Sequence, residues 1–363
     1  MKITINRKSF IDALGIGGSM SGKAKTLPIL DMAKVTIKDK KAIISSFDGE
    51  VAITLRSDIV DSEGDMVFCI NTKDLLSILK SLKDEVLELD IANNVCVVLH
   101  SKGKMEVLVS DSEDFPTPNK DSESVGVSIE SGVLASWVKK SKNFIEQSDI
   151  RPIMGGMYLY YGGNEVGCAA TNAHKLYWDY KGVECGVEGT YDAVLTSKAM
   201  DALIGMLSGS DSVTIVFSDN NIAFKTSNAM LMCRKIEGKF PAFRTIIPNS
   251  GNISVEVDME DLRDAINRAV LMSGMTHLLK ITFSGFNMHI ESCDFDFGKK
   301  SNEDVVCTVS GGDITLGVNG EFLLNCLNAL EGNKVVMTMQ DSARPIVFRE
   351  ENTTVLQMPM RLA

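Results

Sequence analysis

The sequence predicts an α+β protein of three tandem domains, each with two helices packed on an antiparallel sheet. Its 363 residues are too many for one ordinary core and enough for two or three. One pattern occurs three times: a capping polar residue, a short amphipathic helix, a turn and a strand of alternating apolar residues. It begins at Ile70, Leu195 and Val318, at intervals of 125 and 123 residues.

Two further markers recur at nearly the same interval. Helix-like stretches begin near Asn6, Glu130 and Asp258, which are 124 and 128 residues apart. The tripeptide at 114–116, Asp-Phe-Pro, is echoed 125 residues later by Lys-Phe-Pro at 239–241. Three markers with one period indicate an internal repeat. We therefore expect three domains, with boundaries at 1–122, 123–248 and 249–363.

Each domain is expected to read helix, strands, helix, strands. The first helix of each domain carries an apolar face, given in turn by Phe10 and Leu14, Leu134 and Val138, and Leu262 and Ile266. Strand candidates alternate apolar and polar residues, as in VTIKDKKAIISSF, GMYLYY and LLKITFSG. Two helices per domain against antiparallel strands define the α+β class.

Composition restricts the class of protein. The hydrophobic content of 44% and charged content of 23% are ordinary for a globular chain. The longest apolar runs are far shorter than a membrane span, and the first ten residues, MKITINRKSF, lack the apolar core of a secretory signal. We therefore expect a cytoplasmic protein.

One short motif suggests a nucleotide hydrolase. Residues 17–23, GGSMSGK, fit the GxxxxGK part of a phosphate-binding loop. Ala24 follows the lysine, where such a loop needs Ser or Thr, and a helix rather than a strand is predicted before the glycines. Pro28 favours extended structure at Leu27. We therefore expect these glycines to end a helix.

Other catalytic patterns are missing from the sequence. It contains no HExxH or GxSxG motif, and its eight cysteines and four histidines have no metal-ligand spacing. Asp48, Asn172 and Asp294 stand at similar positions of the three repeats, which favours a role in turns. We expect no catalytic residue, no metal and no cofactor.

Charge is distributed unevenly along the chain. The net charge is −11, yet the helix-bearing segments 6–25, 72–83 and 131–147 carry +3, +2 and +2, and 197–208 is neutral. Solvating lysines on helices would give this pattern, and so would a surface built to lie near phosphates. The sequence has no recognition helix, zinc finger or aromatic stacking motif. Any nucleic-acid contact should therefore be to the backbone and independent of base sequence.

Three motifs carry a resemblance to a known family. They are ATNAHKL at 170–176, FPAFR at 240–244 and MPMRL at 358–362, and TLPIL at 26–30 adds to them. Over its whole length the sequence resembles the beta sliding clamp family, the processivity subunit of bacterial DNA polymerase III. The family patterns are ATDGHRL, then G-R/K-F-P-D/E-Y/F, then a terminal MPMRL.

The resemblance implies a ring of two chains joined head to tail, with six domains around duplex DNA and helices lining the hole. It implies DNA contacts at Lys23, Lys25, Lys73, Ser148 and Lys198. The implied partners are DNA, a second copy of the chain, the replicative polymerase alpha subunit, a clamp loader, and other clamp-motif proteins such as repair polymerases, ligase and mismatch repair proteins. The chain would then be associated with the nucleoid.

The resemblance also implies a groove that binds short peptide motifs of partners. Matching positions are Met154, Thr171, Ala173, His174, Lys175, Leu176, Pro241, Thr245, Ile246, Leu356, Met358, Pro359, Met360 and Arg361. The family has Gly where this sequence has Ala173, and Arg where it has Thr245. Met358 and Met360 could alternatively be a frayed tail or ordinary core.

A third implied site joins the two chains of the ring. Lys102 and Lys104 would meet Glu303 and Asp304 of the other chain, with apolar contacts from Leu271 and Met272. Leu271 and Met272 could equally be internal core of their own helix. The alternative to a clamp is a structural or interaction scaffold of repeated α+β domains that does not bind DNA.

Overall fold

A computed structural model describes residues 1–23, 27–118, 125–148, 150–184 and 188–362. Within these ranges the chain forms six α-helices: α1 (Arg7–Gly17), α2 (Thr72–Ser81), α3 (Ser131–Ser141), α4 (Ser197–Leu207), α5 (Met259–Leu271) and α6 (Gly320–Asn328). Short 3-10 helices lie at Pro28–Asp31, Pro152–Met154 and Phe243–Ile246. None of the described helices is long and apolar enough to cross a membrane.

The chain forms two compact units, and the first comprises residues 1–135 and 195–235. Within the described residues its strands are β1 (Lys2–Asn6), β2 (Ala33–Lys38), β3 (Lys41–Phe47), β4 (Val51–Asp58), β5 (Asp61–Ser62), β6 (Met66–Ile70), β7 (Val86–Ala92), β8 (Val95–His100), β9 (Gly103–Ser110), β10 (Val125–Glu130), β15 (Ser212–Phe217), β16 (Asn221–Lys225) and β17 (Ala229–Arg234). These 13 strands form one sheet in the order β10-β15-β16-β17-β4-β3-β2-β6-β9-β8-β7-β1-β5.

The second unit comprises residues 136–194 and 236–363. Its strands, among the residues that the structure describes, are β11 (Gly156–Gly162), β12 (Glu165–Thr171), β13 (Lys175–Gly182), β14 (Tyr191–Thr196), β18 (Ile253–Asp258), β19 (Leu278–Ser284), β20 (Asn287–Asp294), β21 (Lys299–Ser310), β22 (Ile314–Asn319), β23 (Lys334–Met339), β24 (Ile346–Glu350) and β25 (Thr353–Gln357). These 12 strands form one sheet in the order β14-β11-β12-β13-β25-β24-β23-β18-β21-β20-β19-β22.

Each sheet joins strands of two successive sequence repeats, and the two junctions have the same register. In the first unit β4 pairs antiparallel with β17, and Ala52 lies opposite Met232. In the second unit β13 pairs antiparallel with β25, and Leu176 lies opposite Leu356. Both residues of the second pair lie 124 positions after those of the first. The sequence repeat is therefore also a repeat of backbone pairing.

The helices begin where their capping residues predict. Asn6, Asn71, Asp258 and Asn319 each accept hydrogen bonds from backbone N–H groups in the first turn of their helix, and the Thr196 hydroxyl caps α4. Such caps satisfy backbone N–H groups that have no partner within the helix. The predicted apolar faces are buried: Phe10 and Leu14, Leu134 and Val138, Leu262 and Ile266. The α+β prediction is confirmed.

The glycines of the GxxxxGK motif end α1, as predicted. Gly17 is the last residue of the helix and Gly18 is its C-cap. A Cβ at Gly17 would lie 2.8 Å from the carbonyl oxygen of Ile44 on β3. Leu27 is extended, with φ −132° and ψ 122°, before Pro28. These glycines therefore let α1 pack closely on the sheet and open no phosphate-binding helix.

The three repeat-equivalent polar residues form turns, as predicted. The Oδ1 atom of Asp48 accepts hydrogen bonds from the N–H groups of residues 50 and 51, at 3.0 and 2.8 Å. Asn172 Oδ1 accepts from residues 174 and 175, each at 3.1 Å. Asp294 Oδ1 accepts from residues 296 and 297, at 3.2 and 3.3 Å. Each side chain thus closes the turn between two paired strands.

Candidate functional site

Two of the predicted DNA-contacting lysines lie close together in the first unit. Lys23, in the loop after α1, and Lys73, in the first turn of α2, are both exposed. The Lys73 ammonium lies 3.4 Å from the position that a Cβ on Gly22 would take. Neither lysine has an ion pair within the described residues. Their charges are thus free for an external anion, whereas Lys25 lies outside the described residues.

Lys198 has an internal partner that the sequence did not suggest. Its Nζ atom lies 2.8 Å from Oδ2 of Asp48, whose side chain is fully buried. Burial opposes ionisation of Asp48, but hydrogen bonds from Lys198 and from two backbone N–H groups outweigh it and hold the pKa of Asp48 below its usual range. The ammonium of Lys198 therefore already balances a buried carboxylate, which weakens its role as a DNA contact.

Ser148 lies in an exposed loop of the second unit. Its hydroxyl and its backbone N–H both donate to Glu146 Oε1, each at 3.1 Å. These bonds, the backbone one foremost, lower the pKa of Glu146. The loop therefore presents Ser148 beside a carboxylate, a local charge that does not favour phosphate.

The predicted groove residues 171–175 form one tight turn between β12 and β13. Thr171 Oγ1 donates to the Lys175 carbonyl at 2.8 Å and accepts from the Ala173 N–H at 3.1 Å. The exposed ring of His174 stacks on Phe322 of α6, with 6.2 Å between ring centroids. The turn thus holds His174 at the surface in a fixed position.

Lys175 belongs to the same turn but points inward. It is 6% exposed, and its Nζ atom lies 4.5 Å from the ring centroid of Phe322 and 5.5 Å from that of Phe144. Burial lowers the pKa of Lys175. The two aromatic rings stabilise the ammonium by cation–π attraction. Lys175 therefore packs beneath the surface, against the same Phe322 ring on which His174 stacks.

The C-terminal tail is docked on the second unit and does not fray. The Met358 N–H donates to the His174 carbonyl at 2.7 Å, and the Met360 N–H donates to the Gly317 carbonyl at 2.8 Å. Met358, Pro359 and Met360 are half-buried, and Arg361 is exposed. Two methionines are thus fixed beside the turn with part of each side chain in solvent.

An apolar cluster lies beneath these surface residues. Leu176 and Leu356, paired across β13 and β25, pack with Phe240 and Phe243, and Ile153 packs at the edge of the cluster. The predicted groove residues Leu176 and Leu356 are 0% and 1% exposed. They form the floor of the surface and would not contact a partner directly. Met154 and Pro241 are half-buried, whereas Thr245 and Ile246 are exposed.

Backbone strain is stored at the position where the family has glycine. Ala173 has φ +74°, in the left-handed region that L-residues avoid. We expect Ala173→Gly to raise the free energy of unfolding by about 1 kcal/mol, because glycine adopts this conformation without a Cβ clash. Chemical denaturation measures the change, with Ala169→Gly, in the buried part of β12, as a destabilising control. A lower stability for Ala173→Gly would show that the turn is unstrained.

The two regions predicted to form the ring interface each lie on a strand segment that is paired with a neighbouring strand on one side only. In the first unit, residues 103–108 of β9 pair with β8, and only 109–110 pair with β6 on the other side. In the second unit, residues 299–306 of β21 pair with β20, and 307–310 pair with β18. Within the described residues, 103–108 and 299–306 each leave one edge of backbone unpaired. Such an edge is a template for another strand.

Three of the four charged interface candidates already have side-chain partners within the chain. Lys104 pairs with Glu106 at 2.8 Å, and Glu303 pairs with Arg268 at 2.8 Å. The amide of Asn287 and then the ring of His289 hold the pKa of Asp304 below its usual range. Lys102 is exposed. A direct contact between the predicted groups would require these pairs to rearrange. The exposed pair of Lys104 and Glu106 can do so at little cost, whereas Glu303, with a side chain only 20% exposed, would lose two hydrogen bonds from Arg268.

Their exposure excludes an internal-core role for Leu271 and Met272, and the interface role remains a prediction. Leu271 is 69% exposed and Met272 is 37% exposed, so neither belongs to the buried face of α5. Sequence reasoning missed Leu108, which is 73% exposed on the free part of β9. The feature that distinguishes Leu108 is its exposure on a strand with an unpaired edge. That feature can be recognised only when the strand order is known.

Profiles of one protein family match almost the entire chain. The N-terminal, central and C-terminal domains of the DNA polymerase III beta subunit match residues 1–119, 128–242 and 244–361. The chain belongs to the DNA polymerase III beta subunit family. As a member of that family it functions as a DNA sliding clamp.

Full-length relatives agree with this family. The chain is 23% identical to the beta sliding clamp of Pseudomonas aeruginosa over 368 residues, which covers 100% of both chains. It is 22% identical to the beta sliding clamp of Bacillus subtilis, covering 99% of this chain and 98% of that one.

Solved structures share the fold over the full length. The beta subunit from Pseudomonas aeruginosa superposes with a TM-score of 0.93 at 22% identity, and that from Thermotoga maritima with 0.92 at 19%, each covering 100% of both chains. The three-domain clamp fold predicted from the sequence is confirmed.

Proposed function

We propose that two copies of this chain close head to tail into a ring that encircles duplex DNA and tethers a polymerase to it. The observation that carries the proposal is the pair of free sheet edges, at 103–108 in the first unit and 299–306 in the second. Each edge carries an exposed apolar side chain, Leu108 on the first and Val306 on the second. Head-to-tail contacts form a closed ring of two chains when the rotation between the chains is half a turn. In that ring the first edge of each chain meets the second edge of the other.

The charge distribution supports loose contact with DNA. The protein carries −11 overall, while Lys23 and Lys73 are exposed and unpaired within the described residues. Each neutralised phosphate steepens the salt dependence of binding, with a log–log slope of about −0.9 per contact. A ring needs few such contacts because enclosure retains the DNA. We infer that Lys23, Lys25 and Lys73 brush the phosphates, with lesser contributions from Lys198 and Ser148.

The surface around the docked tail is proposed to bind partner peptides. His174, Met358 and Met360 meet at this surface over the floor of Leu176 and Leu356, with Met154, Pro241 and Ile246 as further candidates. Methionine side chains repack around different apolar residues, which suits one groove that serves several partners. The proposed partners are the polymerase alpha subunit, a clamp loader, and motif-bearing repair polymerases, ligase and mismatch repair proteins. In this proposal the chain is a non-catalytic, cytoplasmic, nucleoid-associated subunit.

A comparison of circular and linear DNA tests the proposal. The protein is mixed with a linear duplex, and the ends of half the sample are ligated; at a salt concentration that screens phosphate contacts, the protein should remain on the ligated circle and slide off the linear form of the same sequence. Equal retention on both forms would favour a DNA-binding scaffold without a ring, and no retention on either would favour a scaffold that does not bind DNA.

A further inference from the structure

The first unit contains a cavity of about 490 Å³ on its sheet. Its walls come from β2, β3 and β4, from residues 115–118, and from the end of β16 through β17. Phe47, Phe115, Met230 and Met232 give it an apolar floor. The cavity does not include any residue of the proposed peptide groove, which lies in the second unit.

The cavity occupies the position in the first unit that corresponds, through the sequence repeat, to the position of the proposed peptide groove in the second unit. Ala52 and Met232 face each other across β4 and β17, as Leu176 and Leu356 do across β13 and β25. The turn closed by Asp48 corresponds to the turn closed by Asn172. Pro116 follows Phe115 in the cavity wall, as Pro241 follows Phe240 beside the groove. The two surfaces thus share backbone register and framing elements.

One substitution between the repeats contributes to the open space. Leu176 is 0% exposed and fills the floor of the second-unit junction. Its equivalent in the first unit is Ala52, which is half-buried and lines the cavity. Alanine lacks the three carbon atoms that leucine places beyond Cβ. The junction between the first two repeats is therefore open where the later junction is filled.

The cavity also differs from the groove in charge. Lys34, Arg56 and Lys225 line it, and no Asp or Glu is among the described lining residues. None of the three has an ion pair within the described residues, and Arg56 and Lys225 are exposed. The Lys34 ammonium lies 5.9 Å from the ring centroid of Phe115. Three cations that have no ion pair within the described residues, placed around an apolar floor, favour a ligand with carboxylates flanking apolar side chains.

We propose that this cavity is a second docking groove, and that it takes an acidic peptide segment with apolar anchor residues from a partner protein. The comparison with the first groove rests on the proposed function. The positive charge and the open apolar floor of the cavity are observations that do not depend on it. Apolar anchors would enter over Ala52 and Met232, and carboxylates would meet Arg56 and Lys225. A nucleic acid would use the cations but leave the apolar floor unfilled.

Selection from a random peptide library displayed on phage tests the proposal on the full-length protein. Sequences rich in Asp and Glu with Phe or Leu anchors should be enriched. Arg56→Glu/Lys225→Glu should weaken their binding by about tenfold or more, because two attractions become repulsions. The matched control Lys80→Glu/Lys83→Glu makes the same change in net charge, at one residue in α2 and one just after it. This control should leave the affinity for the selected peptides unchanged. Fluorescence anisotropy with the selected peptides measures the affinities.

Three outcomes would overturn the second groove. One is the absence of any enriched peptide that depends on Arg56 and Lys225. Another is a combination of two results: the double variant loses affinity for a labelled single-stranded oligonucleotide, and no selected peptide depends on Arg56 and Lys225. That combination would assign the cations to nucleic acid. The third is a change in oligomeric state of the double variant, which would assign the surface to a second copy. Peptides that depend only on residues 358–362 would leave the proposed function intact while the second groove fails.

Discussion

Deletion of residues 358–363 is expected to abolish binding of clamp-motif peptides and to leave the two-chain assembly intact. The deletion removes Met358, whose N–H donates to the His174 carbonyl at 2.7 Å, and Met360, whose N–H donates to the Gly317 carbonyl at 2.8 Å. Buried apolar anchor contacts carry most of the binding energy of such small interfaces, so affinity should fall by about 100-fold or more. Fluorescence anisotropy with a labelled polymerase motif peptide measures the loss.

Two variants separate loss of the groove from loss of structure. Met358→Ala/Met360→Ala keeps the backbone hydrogen bonds and should still weaken binding by about tenfold or more, because only side-chain contacts are removed. Phe286→Ser changes a side chain that is 78% exposed in the β19–β20 turn and should bind the peptide as the parent protein does. Unchanged peptide affinity in the truncated protein would show that the groove assignment is wrong.

The double variant Leu108→Glu/Leu271→Glu is expected to convert the two-chain ring into single chains. Both side chains are exposed in one chain, at 73% and 69%, so their replacement should leave the fold intact. In the proposed ring they become buried at the contact between β9 of one copy and the α5 end of the other. Burying unpaired carboxylates there should weaken association by about 100-fold or more. Sedimentation velocity measures the change from twice 39.5 kDa to 39.5 kDa.

The matched control places glutamates at exposed apolar residues that belong to neither free edge. Val60→Glu/Ile150→Glu changes side chains that are 52% and 84% exposed, with the same change in net charge. This variant should sediment as the parent protein does. A Leu108→Glu/Leu271→Glu protein that remains a dimer would place the interface elsewhere on the surface.

Much of the local structure could be predicted because its signals are short-range. Asn6, Asn71 and Asp258 cap helices whose first backbone N–H groups lie within three residues, so the pattern is readable from the sequence. The three turns closed by Asp48, Asn172 and Asp294 are equally local. The terminal MPMRL pattern identified the tail because the family motif is specific.

The remaining features depend on contacts between distant parts of the chain. The resemblance to the family groups Lys198 with the DNA contacts, but its partner Asp48 lies 150 residues earlier and is brought beside it by folding. The sequence does not single out Leu108, because only the strand order shows that its edge is unpaired. The family motif places Leu176 and Leu356 in the groove, whereas packing against Phe240 and Phe243 buries them.

Release of the protein from DNA on cutting a closed circle tests enclosure most directly. Labelled protein in excess is mixed with linear duplex, the ends are ligated, and free protein is removed at a salt concentration that screens phosphate contacts. Enclosure predicts that bound protein stays on the circle and dissociates after one restriction cut. Protein that remains bound after the cut, or that never stays on the intact circle, would contradict the account.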